Sequence, residues 1–67
     1  MTPVDDYILK TARELGARGC MVFTMDFIHG RLQYFDRAAR TVTGMSVRKR
    51  RGGGLTIKSE SVVLPSA

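Results

Sequence analysis

The sequence has little of what usually stabilises a very small protein. The single cysteine, Cys20, cannot form an intramolecular disulfide, and the single histidine, His29, leaves no ligand spacing typical of a zinc site. There is no run of 18 apolar residues, and the first residues are acidic where a signal peptide would be basic. We therefore expect no metal, no cofactor and no membrane contact, and a location in the reducing cytoplasm. Packing, or a partner subunit, has to provide the stability.

The length of 67 residues argues against an enzyme. A chain of this size forms one domain and buries only about 60% of its surface on folding, which leaves little material for a substrate cavity. No nucleophile, base and oxyanion-binding group can be identified together, so we expect neither catalytic residues nor a small-molecule substrate. Hydrophobic residues make up 43% and charged residues 25%, values typical of a globular domain and not of a disordered chain.

The charge is unevenly distributed along the chain. The formal net charge is +5, yet residues 1–30 carry three basic and four acidic side chains, whereas residues 31–67 carry eight and two. Arginine outnumbers lysine, and guanidinium groups make bidentate contacts to phosphate and to base edges. A solvated basic surface that keeps the protein in solution is the simpler explanation. The segregation favours nucleic-acid binding.

The start of the chain predicts a helix over residues 3–15. Thr2 is a suitable N-cap, Pro3 suits the first helical position, and Asp5 stands where its carboxylate can bond back to the cap. Apolar residues then recur at helical spacing, and Gly16 is a natural end. We interpret this helix as a scaffold element.

Two further helices are predicted after a short extended segment at residues 20–23. Thr24 is a candidate N-cap with Asp26 in the first turn, which predicts a helix over 25–32, weakened by Gly30. Asp36 is a candidate N-cap for a third helix over 37–43. Gly44 is the natural end of that third helix.

From Met45 onward the hydrophobic period changes from helical to two, which predicts a β-hairpin with strands over 45–51 and 55–61. A three-residue loop at Gly52, Gly53 and Gly54 pairs Arg51 with Leu55. Apolar and basic side chains then separate onto opposite faces. The apolar face contains Met45, Val47, Leu55 and Ile57, and the other face contains Ser46, Arg48, Arg50, Thr56, Lys58 and Glu60. The alternative is a single basic helix that continues from the third helix to Arg51.

This order of elements resembles the winged helix-turn-helix DNA-binding domains. The resemblance rests on element order and charge placement across residues 3–61. It implies a single α+β domain over residues 1–67, with three helices followed by a C-terminal hairpin. It further implies that 37–43 is the recognition helix and that the hairpin is a wing contacting the DNA backbone. The weak second helix and the short third helix depart from the family's common pattern.

The candidate nucleic-acid contacts lie on these two elements. On the predicted third helix they are Arg37, Arg40, Thr41 and Thr43, whose guanidinium and hydroxyl groups can bond bases or phosphates. On the hairpin they are Arg48, Lys49, Arg50, Arg51 and Lys58, with the tip formed by Gly52, Gly53 and Gly54. The alternative interpretations are an ordinary solvated helix face, and a basic hairpin that prevents edge-to-edge aggregation or acts as a localisation signal.

The resulting functional hypothesis is a sequence-specific or architectural binder of double-stranded DNA. It would be a small transcriptional regulator or an accessory factor of a phage or mobile element, associated with the nucleoid and acting as a homodimer on paired half-sites. One alternative is an RNA or single-strand binder in which Tyr34 or Phe35 stacks on bases. Another is an inhibitor of host transcription machinery whose basic hairpin docks on an acidic protein surface.

Overall fold

The computed structural model describes residues 1–66 and contains one helix followed by a four-stranded antiparallel sheet. The strands pair in the order in which they occur in the chain, so the sheet is a meander. The helix packs on one face of this sheet. The elements are α1 (Pro3–Ala17), β1 (Met21–Asp26), β2 (Arg31–Asp36), β3 (Thr41–Lys49) and β4 (Leu55–Val63).

The predicted start of α1 is confirmed. The hydroxyl of Thr2 accepts a hydrogen bond from the Asp5 N–H at 3.1 Å, and the Asp5 carboxylate accepts one from the Thr2 N–H at 3.5 Å. This reciprocal capping box satisfies N–H groups that have no partner inside the helix. Pro3 occupies the first helical position, where its missing N–H costs nothing.

The end of α1 lies two residues beyond the predicted one. Gly16 is helical, and the helix ends where Gly19 adopts a φ of +87°. The N–H of Cys20 donates to the Leu15 carbonyl and the N–H of Gly19 donates to the Gly16 carbonyl, both at 3.0 Å. These two bonds form a Schellman motif, which turns the chain from the helix into β1.

The core lies between α1 and the sheet. It is formed by Ile8 and Leu15 of α1, Leu32 of β2 and Val47 of β3, each at most 5% exposed. Half-buried side chains surround this cluster; they are Val4, Tyr7, Ala12, Cys20, Val22, Tyr34, Met45 and Leu55. Because α1 covers only one face, the sheet has a buried face and a second face that no described element covers.

The predicted architecture of three helices and a hairpin is wrong. The class is α+β, but residues 25–32 and 37–43 form strand ends and turns, and strands predominate. A continuous basic helix from residue 37 to 51 is equally wrong, because β3 occupies most of that range. Residues 37–43, predicted to form the recognition helix, are therefore not helical.

Both wrong helices were predicted partly from aspartates that cap turns in the structure. Thr24, the predicted N-cap of the second helix, lies within β1, and Asp26, expected in that helix's first turn, caps the β1–β2 turn instead. One carboxylate oxygen of Asp26 accepts the N–H groups of Ile28 and His29, both at 3.0 Å. A helix N-cap makes the same bonds, so the local signal is genuine. The helix does not continue because Gly30 adopts a φ of +68° and reverses the chain into β2.

The second turn repeats this construction. A carboxylate oxygen of Asp36 accepts the N–H of Ala39 at 3.2 Å, and Arg40 adopts a φ of +56° at the position equivalent to Gly30. Each loop therefore has four residues and ends in a left-handed residue, a common connection in antiparallel hairpins.

The predicted C-terminal hairpin is present, with the predicted faces and a different register. Lys49, not Arg51, pairs with Leu55, so the pairing is shifted by two residues. A shift of two leaves the strand side chains on their predicted faces. The predicted strand end at residue 51 and the three-residue loop are wrong, because β3 ends at Lys49 and Arg50 and Arg51 lie in a loop over 50–54. The loop is closed by Arg50, whose N–H donates to the Gly54 carbonyl at 3.0 Å and whose carbonyl accepts the Gly53 N–H at 3.2 Å.

Candidate functional site

The sheet face opposite α1 is called here the open face, and the strand register orders its residues in rows. Along one row, Met21, Phe35, Val42 and Val62 are consecutive partners across all four strands. Met21 and Val62 are more than 60% exposed. This end of the open face is therefore apolar, and it lies beside the β2–β3 turn.

The other end of the open face is basic. Arg31 of β2 pairs with Ser46 of β3, which pairs with Lys58 of β4. One row further on, Arg48 pairs with Thr56. The three exposed cations Arg31, Arg48 and Lys58 thus come from three strands to one surface, which we call the basic patch.

Among residues 1–66, no ion pair involves the side chains of the basic patch. The close side-chain contact between a carboxylate and a nitrogen base in this part of the chain joins Asp26 to His29, outside the patch. Arg48 and Lys58 occupy diagonal positions on adjacent strands, where long side chains are within reach of each other and like charges repel. A depression of about 400 Å³ lies between them, lined by Ser46, Arg48, Lys49, Thr56 and Lys58. An anion in this depression would relieve the repulsion.

In the pairing of β1 with β2, the acidic residue Asp26 lies directly opposite Arg31 of the basic patch. Its carboxylate is bound within its own turn, to the backbone and to Nδ1 of His29 at 2.8 Å. The backbone N–H of His29, and then its imidazole, hold the pKa of the Asp26 carboxyl below its ordinary value. The carboxylate therefore serves the turn and leaves Arg31 without an ion pair.

The lowered pKa of Asp26 predicts a loss of stability at acidic pH. A carboxyl with a lower pKa in the folded state stabilises the protein above its unfolded pKa, and this contribution is lost as the pH falls through the folded value. Asp26→Asn keeps an oxygen acceptor for the turn but cannot titrate. We expect its thermal unfolding temperature to fall less between neutral and acidic pH than that of the wild type. Asp36→Asn, at the equivalent turn without a histidine partner, is the control, and an equal effect there would contradict the assignment.

The β3–β4 hairpin extends beyond the rest of the sheet. β2 pairs with β3 only as far as Ser46, whereas β3 and β4 remain paired to Lys49 and Leu55. The molecule is consequently elongated, with a longest dimension of 45 Å. The exposed loop carries Arg50 and Arg51, followed by the three predicted tip glycines, of which Gly53 and Gly54 have positive φ. The basic patch and the loop arginines are therefore at the same end of the protein.

The structure separates the residues of the predicted third helix from the hairpin. Arg37 is exposed in the β2–β3 turn, and the Arg40 guanidinium donates to the Pro65 carbonyl at 2.7 Å. Thr41 begins β3, on the face that α1 covers. Seven residues of β3 separate this turn from Arg48, about 23 Å in a strand. The predicted contacts thus lie at opposite ends of the sheet.

Thr43 is also unavailable for a nucleic-acid contact. It is 4% exposed, and its hydroxyl shares a hydrogen bond of 2.7 Å with that of Ser61. Of the two aromatic side chains predicted to stack on bases, Tyr34 packs against the core and Phe35 lies on the open face.

Sequence reasoning does not identify Arg31 as part of the basic surface. The local pattern places it in a helix, where it has no relation to Lys58. The signal that could have located it is the repeated spacing of Asp26 and Asp36, each four residues before a residue that reverses the chain and five before a strand. That spacing places Arg31 at the start of β2.

Among residues 1–66 there is no helix with the length and apolarity needed to cross a membrane. The same residues bring no three His, Cys, Asp or Glu side chains into a group that could hold a metal ion. Comparison of the chain with protein-family models, with curated proteins and with solved structures found no match.

Proposed function

We propose that the protein binds double-stranded DNA through the basic patch and the loop of the β3–β4 hairpin, without catalysis. The observation that carries this proposal is the convergence of Arg31, Arg48 and Lys58 from three strands, with no carboxylate partner among residues 1–66. Cations held in this way on a rigid sheet are suited to phosphate oxygens, which supply most of the affinity for DNA.

In this proposal the β3–β4 hairpin, and not a recognition helix, enters the major groove of the DNA. A two-stranded β-ribbon fits the major groove, which is about 12 Å wide. The β3–β4 hairpin projects as such a ribbon, with Arg50 and Arg51 at its tip. Glycines at the tip allow the backbone N–H groups to approach a phosphate closely. At the end of the hairpin nearest the sheet, β2 pairs with β3 and adds Arg31 to the basic surface.

The charge distribution orients the protein on the DNA. A Cβ at Gly30 would lie 3.5 Å from the side chain of Val4, which places the start of α1 at the hairpin end of the molecule. The first turn of α1 carries Asp5 and Asp6, on the layer opposite the open face. Phosphates would repel these carboxylates and attract the basic patch, so the open face and not α1 faces the DNA.

Duplex DNA is favoured over single strands by the positions of Tyr34 and Phe35, the two aromatic residues predicted to stack on bases. Binding of single strands uses aromatic rings beside basic side chains along a groove. Phe35 lies four residues from Arg31 along β2, about 13 Å, within the apolar row. Tyr34 packs against the core. Neither Tyr34 nor Phe35 therefore lies within the basic patch.

In cellular terms the proposal describes a small DNA-associated regulator or accessory factor. The thiol of Cys20 is free and half-buried, which suits the reducing cytoplasm.

The proposal is tested by the salt dependence of DNA binding. We expect the variant R31A/R48A/K58A to bind duplex DNA more weakly than the wild type, with the slope of log K against log salt reduced by about 2.7, because three phosphate contacts are removed. Fluorescence anisotropy of a labelled duplex over a salt series measures this slope, and circular dichroism checks that the variant is folded.

The matched control removes three cations from α1 and its C-cap instead. The exposed residues Lys10, Arg13 and Arg18 are changed to alanine, which alters the net charge by the same amount. We expect this control to retain most of the wild-type slope. Equal slopes for the two triple variants would mean that only net charge matters and would reject the basic patch. Tighter binding of single-stranded DNA or RNA than of the duplex would reject the duplex assignment.

A further inference from the structure

The two edges of the sheet differ in how they are protected against pairing. β1, at one edge, contains a bulge, because the register shifts between Val22 and Thr24 and leaves Phe23 without a partner. Bulges disrupt edge strands and discourage further pairing. β4, at the other edge, is nine residues long and pairs with β3 in unbroken register. β4 is thus the unprotected edge.

The backbone groups of β4 that face outward can be identified from the register. The Val47 N–H donates to the Gly30 carbonyl at 2.7 Å, on the β2 side. Its partner Ile57 therefore directs its own N–H and C=O away from β3. Backbone direction alternates along a strand, so Ser59 and Ser61 also present unpaired groups at the edge. These residues are exposed.

The charge pattern of β4 fits a second copy of itself. Lys58 and Glu60 are separated by one residue and lie on the open face. In an antiparallel β4–β4 pair centred on Ser59, Lys58 of each copy lies opposite Glu60 of the other. A pair centred on Lys58 places two lysines opposite each other, and one centred on Glu60 places two glutamates opposite each other. Opposite charges stabilise cross-strand pairs and like charges destabilise them.

We propose that two copies of the protein form a symmetric dimer by antiparallel pairing of their β4 strands, centred on Ser59. In this register Ser59 pairs with Ser59 and Ile57 with Ser61 of the second copy. The residues whose backbone N–H and C=O point away from β3 therefore lie opposite each other and can form hydrogen bonds across the dimer seam. The product is a continuous eight-stranded sheet with both helices on one face. Both basic patches then lie on the other face, the same side of the dimer; Lys58 of each copy lies opposite Glu60 of the other, while Arg31 and Arg48 keep no ion pair among residues 1–66. On the proposed function, both patches then face one duplex.

The dimer also covers exposed apolar side chains of β4. Val63 is 70% exposed and would lie opposite Leu55 of the second copy, while Ile57, 40% exposed, would lie opposite Ser61. Val62, 64% exposed, would lie opposite Thr56. Without a second strand, these side chains and the outward backbone groups are left to water.

The register is tested by reversing charges and measuring the dimer dissociation constant of the full chain by sedimentation equilibrium, without nucleic acid. We expect Lys58→Glu and Glu60→Lys each to raise the constant about tenfold, because each change puts like charges opposite each other twice in the symmetric dimer. The double variant K58E/E60K restores opposite charges and should return the constant close to the wild-type value. Lys10→Glu and Glu14→Lys make the same charge changes on α1 and should leave it unchanged.

The backbone pairing is tested by Ser59→Pro. The Ser59 N–H points away from β3, so proline leaves the β3–β4 ladder intact while it removes a donor from the dimer seam. We expect a folded monomer, with the fold checked by circular dichroism. A wild-type protein that stays monomeric at high concentration would overturn the proposal. So would a dimer that persists with Ser59→Pro, a double variant as weak as the single ones, or assembly into open-ended polymers.

Discussion

Replacing Gly30 with alanine is expected to destabilise the protein by about 3 kcal/mol or more, a large part of the stability of a chain of this size. Gly30 has a φ of +68°, a conformation that costs a residue with a Cβ about 1–2 kcal/mol. The added Cβ would also clash with the Val47 carbonyl oxygen, a backbone atom. Relieving that contact separates β2 from β3 and weakens the 2.7 Å bond from the Val47 N–H to the Gly30 carbonyl. Chemical denaturation monitored by circular dichroism measures the free energy of unfolding.

Alanine substitutions at two other glycines distinguish the backbone strain at Gly30 from its clash with Val47. Gly19 has a φ of +87°, and no atom lies within 4 Å of the position that a Cβ would take, so Gly19→Ala carries the backbone strain alone, about 1–2 kcal/mol. Gly16 is helical and unobstructed, so Gly16→Ala should stabilise the protein by about 0.5–1 kcal/mol. If Gly30→Ala cost no more than Gly19→Ala, the close approach of Gly30 to Val47 would be contradicted.

Replacing Ile8 with alanine is expected to cost about 2–5 kcal/mol. Ile8 is 1% exposed and is one of two α1 side chains in the core. Truncation leaves a cavity between α1 and the sheet, which rigid strands on one side cannot close. Within residues 1–66 the core has only four buried hydrophobic residues, so no second hydrophobic cluster offsets the lost stability. The melting temperature and the denaturant midpoint should both fall sharply.

Ile28 is the matched control for Ile8. It is 90% exposed at the tip of the β1–β2 turn, and Ile28→Ala should change the free energy of unfolding by less than about 0.5 kcal/mol. Similar losses at the two isoleucines would mean that α1 does not pack on the sheet through Ile8.

The parts of the fold that were predictable are those set by neighbouring residues. The Thr2 and Asp5 capping box and Pro3 define the start of α1 within one turn. The alternation after Met45 defines the two faces of the last hairpin, and both faces are confirmed. The register differs from the predicted one by two residues, because a two-residue shift leaves the pattern of faces unchanged and only loop geometry distinguishes the two pairings.

The second and third predicted helices are wrong because their signals are shared with turns. Asp26 and Asp36 bond to the N–H groups that follow them, as an N-cap does. Whether a turn continues into a helix depends on the residues after it, and here Gly30 and Arg40 adopt positive φ. The hydrophobic pattern is also misleading: Phe27 and Ile28 suggest a buried helix face but lie exposed in the turn.

The candidate site was predictable only where it depends on residues close together in the chain. Arg48 and Lys58 belong to one hairpin, and period-two alternation alone assigns them to one face. Arg31 joins them only through the pairing of β2 with β3, which no local pattern reveals. The predicted partners Arg37 and Arg40 are removed from the site by the same pairing, since the turn that holds them lies at the opposite end of the sheet.

The sequence by itself determined the scarcity of stabilising groups, the capped first helix, the basic second half of the chain and the two faces of the last hairpin. These properties depend on composition or on residues close together in the chain. The tertiary structure decided that the middle of the chain is a sheet, that Arg31 stands beside Lys58, and that β4 is left as an unprotected edge. Those outcomes depend on strand pairing between distant residues, whose free energy comes from the shared core of Ile8, Leu15, Leu32 and Val47.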